Sequence, residues 1–231
     1  MTDFVLLHGS WHGAWCWERV TPGLTALGHR VVTPDLAFDD PTITFEALTA
    51  AVEKAIVAPE DTVLVAHSAS GLIAPLVVQR TPVRELVLLT SLLPIIGMSS
   101  LEASRQTPGP LTTEVVTALG RQGTSEFGGI VWNPDDAYAL FYQDCERSDA
   151  DLAIKRLVAR NAREPFIAPT PLTSYPRVPT RYIVCTEDHV VNGEVTRRIA
   201  KEDYGASIVE LDASHSPFWS RPEELTGLLL G

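Results

Sequence analysis

Six short runs of aliphatic and β-branched residues constrain this chain more than any other feature. They are Phe4–Leu7, Arg30–Thr33, Thr62–Ala66, Glu85–Thr90, Arg181–Thr186 and Ser207–Leu211. Most are continuous rather than alternating, the pattern of strands buried on both faces of a parallel sheet. Helical spacing fills the gaps. Trp17, Val20, Leu24 and Leu27 recur at intervals of three and four over Trp15–Leu27, and Phe45, Leu48, Val52 and Ile56 do so over Thr44–Val57. Leu72–Arg80, Val191–Lys201 and Glu223–Leu230 supply three more helical segments. Such alternation predicts right-handed βαβ crossovers and an α/β fold with a doubly wound, mainly parallel six-stranded sheet.

One connection breaks the rhythm. About 85 residues separate Pro94 from Pro179, whereas ordinary connections run to about 4–6. Helical patterns at Leu111–Leu119, Pro134–Cys145 and Ala150–Ala159 precede a proline-rich return through Pro165, Pro169, Pro171, Pro176 and Pro179. The expectation is a core formed by residues 1–94 and 180–231, with residues 95–179 inserted as a helical lid, the whole making one structural domain.

Composition narrows the function classes. Among 231 residues, 18 Lys+Arg face 29 Asp+Glu, a formal charge of −11, and no basic cluster offers a footing for nucleic acid. Cys16, Cys145 and Cys185 lie too far apart for a disulfide framework or a zinc spacing, and read as small apolar side chains. Met1-Thr2-Asp3-Phe4 enters the first apolar run without a basic leader, and no run is long enough to span a bilayer. The expectation is a cytoplasmic protein acting on a small molecule, without membrane or nucleic-acid partners, with a homodimer left open.

The chemistry concentrates at Val63-Leu64-Val65-Ala66-His67-Ser68-Ala69-Ser70-Gly71. An apolar strand runs into a serine flanked two residues away on each side by small side chains, and a helix follows at once. A nucleophile elbow has this form, because the serine occupies a strained turn that tolerates no bulk at those positions. The usual glycines are replaced by Ala66 and Ser70, with Gly71 one step later. An ordinary turn with Ser68 as helix cap is the bland alternative.

The first strand closes on His8-Gly9-Ser10, where a turn can aim a backbone N–H at such a serine. An acyl oxyanion would then sit between the amides of Ser10 and Ala69, with His8 itself structural. A general base should follow later in the chain. His215 is the only histidine beyond the last strand, and its loop overhangs the carboxyl end of the sheet. His189 adjoins the best acid candidate, and an elbow would point His67 away. Among the acids, Asp188 ends the fifth strand and is favoured over its rival Glu187, while Asp212 reads as a turn residue. Trp11, Trp132 and Phe218 are candidates to line an apolar substrate pocket.

Assembled, these residues resemble the α/β-hydrolase superfamily, and within it the plant methylesterase/hydroxynitrile lyase family and its bacterial esterase relatives. The marks are His8-Gly9-Ser10 with His12-Gly13-Ala14-Trp15, the Ala66–Gly71 segment, Phe141-Tyr142-Gln143-Asp144-Cys145, Tyr182–Asp188 and Asp212-Ala213-Ser214-His215. The resemblance implies a Ser68–His215–Asp188 triad, oxyanion amides at Ser10 and Ala69, and no cofactor or metal. Lyases of this family resemble a pattern with Thr after the first His and Lys after the last. Gly9 and Ser216 stand there instead, which favours cleavage of a carboxylic ester through an acyl-enzyme. The same apparatus also serves lactone hydrolysis, C–C cleavage, cyclisation or lyase chemistry. A hydrolase fold retired to ligand binding is the remaining alternative.

Overall fold

A computed structural model describes all 231 residues. Six strands, β1 (Asp3–Leu7), β2 (Arg30–Val32), β3 (Thr62–His67), β4 (Glu85–Leu89), and, after the long connection, β7 (Thr180–Cys185) and β8 (Ser207–Leu211), form one sheet in the order β2-β1-β3-β4-β7-β8. Every pairing is parallel. The continuous apolar runs are explained by burial on both faces: Val5, Leu6 and Leu7 of β1 and Leu86–Leu89 of β4 are completely covered.

The covering helices begin and end where local chemistry dictates. The 15–27 segment is two pieces rather than one, a 3-10 turn at Ala14–Trp17 and helix α1 (Thr21–Ala26). Pro22 cannot occupy a helix interior but suits a first turn, so the helix restarts there. Helix α2 (Phe45–Glu53) is capped by the Thr44 side chain, which accepts from the Ala47 N–H, and buries Phe45, Leu48 and Val52. Helix α3 (Ala74–Arg80) follows β3.

The connection from β4 to β7 holds helices α4 (Ser100–Ser104), α5 (Thr113–Leu119), α6 (Pro134–Phe141), α7 (Arg147–Ile154) and α8 (Glu164–Ile167). It also contains a small antiparallel ribbon of β5 (Gly123–Thr124) and β6 (Ile130–Val131) that the sequence patterns did not suggest. Helices α9 (Gly193–Glu202), α10 (Pro217–Ser220) and α11 (Pro222–Leu230) complete the fold. No helix is long and apolar enough to cross a membrane.

The strand order locates the site. From β1 the chain crosses to β2 on one side, whereas β3 lies on the other side of β1 and leads on to β4. Beyond the carboxyl ends of β1 and β3 the connections diverge and leave a crevice, the usual ligand position in open parallel sheets. The loop after β1 and the turn after β3 face each other across it.

Candidate active site

Strand β3 ends at His67, and Ser68 follows with φ 54°, a left-handed conformation that a side chain seldom adopts. The residues around it are small because space is absent. A Cβ on Gly71 would lie 2.4 Å from the Leu92 carbonyl oxygen and 2.6 Å from the Ser91 Cβ. Gly71 therefore does the steric work expected of an elbow glycine, one position late. Ser70 is tolerated because its hydroxyl turns back and donates to the His67 carbonyl at 2.8 Å.

His215 lies on the loop between β8 and α10. Its Nε2 is 3.0 Å from Ser68 Oγ, and its Nδ1 is 2.8 Å from Asp188 Oδ2. The carboxylate only accepts, so Nδ1 carries the ring proton and Nε2 presents its lone pair to the serine hydroxyl. Asp188 is held by a full set of donors. Its Oδ1 accepts from the Val190 and Val191 amides at 2.6 and 3.0 Å, and its Oδ2 also accepts from the Thr90 hydroxyl. Thr90 itself sits at φ 38° to reach it. Glu187, the rival acid, is solvent-exposed and points no side-chain atom at His215. Of the two adjacent carboxylates, only Asp188 is brought to the imidazole.

Ser10 and Ala69 are both buried, and neither backbone N–H donates a hydrogen bond within the chain. A Cβ on Gly9 would approach the Ser68 Cβ to 2.7 Å, so glycine alone lets the end of β1 lie this close to the serine. The peptide carrying the Ser10 N–H is fixed from behind. His8 Nε2 accepts from the Leu36 N–H at 2.8 Å, which leaves the proton on Nδ1 to donate to the Gly9 carbonyl at 2.9 Å.

Two more histidines brace the loops. His12 Nδ1 donates to the Ser10 carbonyl at 3.1 Å, and its Nε2 accepts from the Tyr142 hydroxyl at 2.8 Å. His67 Nε2 donates to the His215 carbonyl at 2.8 Å. Desolvation pushes the imidazoles of His8, His12 and His67 below their usual range, His12 to about 3, so all three are neutral. The inserted connection joins the same framework: Asp144 accepts from the Ser214 N–H at 2.9 Å and the Phe141 carbonyl from the Ser214 hydroxyl at 3.0 Å. Sequence reasoning missed Thr90, quoted His12 and Tyr142 only as marks of the resemblance without a role, and left His8 structural. No local signal assigns Thr90 or Tyr142 its partner, because those partners lie 98 and 130 residues away.

The aromatic candidates separate. Trp11 and Trp132 meet at 5.3 Å between ring centroids, and Trp11 lies 6.0 Å from Phe141, which lies 5.8 Å from the His215 ring. Phe218, expected in the pocket wall, is instead completely buried and packs edge-on against His67 at 4.9 Å. It supports the floor of the site from within the core. Ser68 retains 8% exposure and His215 2%, so both reacting side chains are buried. No group of three or more His, Cys, Asp or Glu side chains is arranged to hold a metal ion.

A parallel sheet bearing a strained serine at the end of a central strand, with a histidine and an acid on later loops, defines the α/β-hydrolase architecture. The chain belongs to the alpha/beta hydrolase family, whose sequence profile matches residues 4–228. Among curated proteins it is similar to methyl jasmonate esterase 1 of Vitis vinifera, 26% identical over 98% of this chain and 94% of the relative. Methylesterase 2 of Arabidopsis thaliana is 28% identical over the same shares. Among solved structures, a pyrethroid hydrolase from Sphingobium faniae JZ-2 superposes with a TM-score of 0.80 at 25% identity, covering 99% of this chain and 96% of that one. The named relatives are esterases and a hydrolase, which supports ester hydrolysis as the class of reaction.

Proposed function

We propose that this protein hydrolyses a carboxylic ester of a small, hydrophobic-bodied molecule through an acyl-enzyme on Ser68. The observation that carries the proposal is the continuous line from Asp188 Oδ2 through His215 to Ser68 Oγ, at 2.8 and 3.0 Å. As Ser68 Oγ bonds to the ester carbonyl carbon, its proton passes to His215 Nε2, and Asp188 stabilises the resulting imidazolium. The carbonyl oxygen, now anionic, takes the free amides of Ser10 and Ala69, each such donor lowering the barrier by about 2.7–4 kcal/mol. When the C–O bond to the alcohol breaks, His215 returns the proton to the leaving oxygen. Water then repeats the sequence on the acyl-enzyme, releasing the acid and restoring Ser68.

Gly9 and Ser216 favour the hydrolytic branch, since neither places a cation or a second hydroxyl where the lyase pattern has them. Hydrolysis of short- and medium-chain p-nitrophenyl esters by wild type beside Ser68→Ala tests the mechanism. Turnover should disappear in the folded variant, and a fluorophosphonate should label wild type alone. Full activity in Ser68→Ala would overturn it.

A further inference from the structure

Arg160 is a half-buried cation without an anion. Its guanidinium carbon lies 4.7 Å from the centre of the Phe166 ring and 5.4 Å from Trp11, so two aromatic rings enclose it. The one hydrogen bond it makes is from Nη1 to the Ala162 carbonyl at 3.2 Å, while Nε is buried and bonded to nothing. Burial pushes the guanidinium below its usual value, and no carboxylate offsets that. The contrast with Arg181 is direct: that side chain, similarly enclosed, pairs with Glu85 and donates to two helix carbonyls. A chain with 29 Asp+Glu has anions to spare, yet none is turned toward Arg160. Charges withdrawn from water are normally paired, because desolvation otherwise disfavours them.

A second unmet donor packs against the same Trp11 ring. Arg160 and Ile130 exchange backbone hydrogen bonds at 2.7 and 2.9 Å, an antiparallel bridge that puts their side chains on one face. Trp132, two residues along from Ile130, packs against Trp11 at 5.3 Å, and its Nε1 is buried without a partner. Both orphaned groups donate and neither accepts. Trp11, the ring they share, directly follows Ser10 and has its own Nε1 satisfied by the Ile130 carbonyl at 3.0 Å. Phe141 neighbours both Trp11 and the His215 ring, at 6.0 and 5.8 Å between centroids.

We propose that Arg160, with Trp132 Nε1, binds an anionic group of the substrate, so that the ester cleaved at Ser68 carries a carboxylate at its far end. The planar guanidinium fork suits a carboxylate, and the stacked rings of Trp11 and Phe166 hold it in place before substrate arrives. The substrate class is then a half-ester of a dicarboxylic acid, with an apolar body lying along the half-buried Trp11. This rests on the reading of Ser68 as nucleophile.

The test compares monoethyl with diethyl esters of adipate, suberate and sebacate, using wild type, Arg160→Met and Arg160→Lys. Methionine keeps an apolar stem between the rings; lysine keeps the charge without the fork. For wild type, kcat/KM should favour the half-ester at one chain length. That preference should fall about tenfold in Arg160→Met, the size of a charge-assisted hydrogen bond, and recover in part in Arg160→Lys. A wild-type preference for the diester at every length would overturn the proposal, and so would a ratio unchanged in Arg160→Met. Calorimetric titration of Ser68→Ala protein with suberate decides the site without turnover. Binding lost in the Ser68→Ala/Arg160→Met double variant supports it, and equal binding or none overturns it. If no ester is turned over but suberate binding depends on Arg160, the esterase reading fails and the anion site stands.

Discussion

His8 Nδ1 lies 2.9 Å from the carbonyl oxygen of Gly9, the carbonyl of the same peptide group whose N–H belongs to Ser10. A hydrogen bond to one end of a peptide polarises the other, so His8 both orients and strengthens the proposed oxyanion donor. His8→Ala should therefore lower kcat about ten- to hundredfold with a smaller change in KM, the range typical of an outer partner that orients a reacting group. His8→Asn, whose amide can still donate, should recover part of the loss. Steady-state kinetics check this; kcat within twofold of wild type in His8→Ala would show the Ser10 peptide to be held without the imidazole.

The two glycines nearest Ser68 predict different failures. In Gly9→Ala the new methyl meets the Ser68 Cβ at 2.7 Å, so the serine must move. A displacement of about 1 Å at a reacting group costs about a hundredfold in rate, and kcat should fall by that order while the fold survives. In Gly71→Ala the obstacle is the Leu92 carbonyl at 2.4 Å, fixed in the backbone. Overpacking of that kind costs about 1–3 kcal/mol, and the loss should appear in the melting temperature. Wild-type kcat in Gly9→Ala would contradict the close approach of β1 to the elbow.

The adjacent acids can be separated by single amides. Asp188→Asn keeps the shape but removes the anion that holds the Nδ1 tautomer, and kcat should drop about 10⁴-fold. Glu187→Gln alters an exposed side chain and should leave kcat within about twofold, as surface changes do. The reverse ranking would transfer the role to Glu187.

Much of this arrangement was legible in the sequence, and the remainder fails for physical reasons. Parallel strands are buried on both faces, so β1, β3 and β4 announce themselves as unbroken Val/Leu runs and the sheet follows. Strand ends and chain order restrict where partners can sit, which is why Ser68, His215 and Asp188 were the candidates, and the structure brings these three side chains together. Pro22 was a readable signal that the 15–27 segment breaks, since a proline belongs in a first turn. The β5–β6 ribbon was not readable: strands of two residues carry no periodicity. Phe218 misleads because an aromatic beside the histidine fits a pocket wall and a core equally well in one dimension. Tyr142 bonding to His12 is a tertiary event across 130 residues, invisible to any local pattern.

The buried neutral histidines set the acid limit of the fold. His8, His12 and His67 are pushed down chiefly by desolvation, with His215 adding repulsion at His12 and His67. In the unfolded chain each takes up a proton near pH 6.5, so below that value the unfolded state binds more protons than the folded one. Stability is therefore greatest above about pH 6.5 and falls as pH falls through that value, by at most about 1.4 kcal/mol per pH unit for each histidine that stays neutral in the folded state. The window from about pH 6.5 to 5 lies above ordinary carboxylate titration, which leaves the loss there to imidazoles. Urea unfolding at pH 7.5, 6.5 and 5.5 should show a loss of up to about 1 kcal/mol across the first interval and up to about 3 kcal/mol across the second. A flat profile down to pH 5.5 would mean that the three rings are protonated in the folded state. His12→Gln sharpens the test, because the slope counts protons whatever the variant's stability at pH 7.5. Its slope between pH 6.5 and 5.5 should be shallower by about one proton. An unchanged slope would contradict a neutral His12 accepting from the Tyr142 hydroxyl.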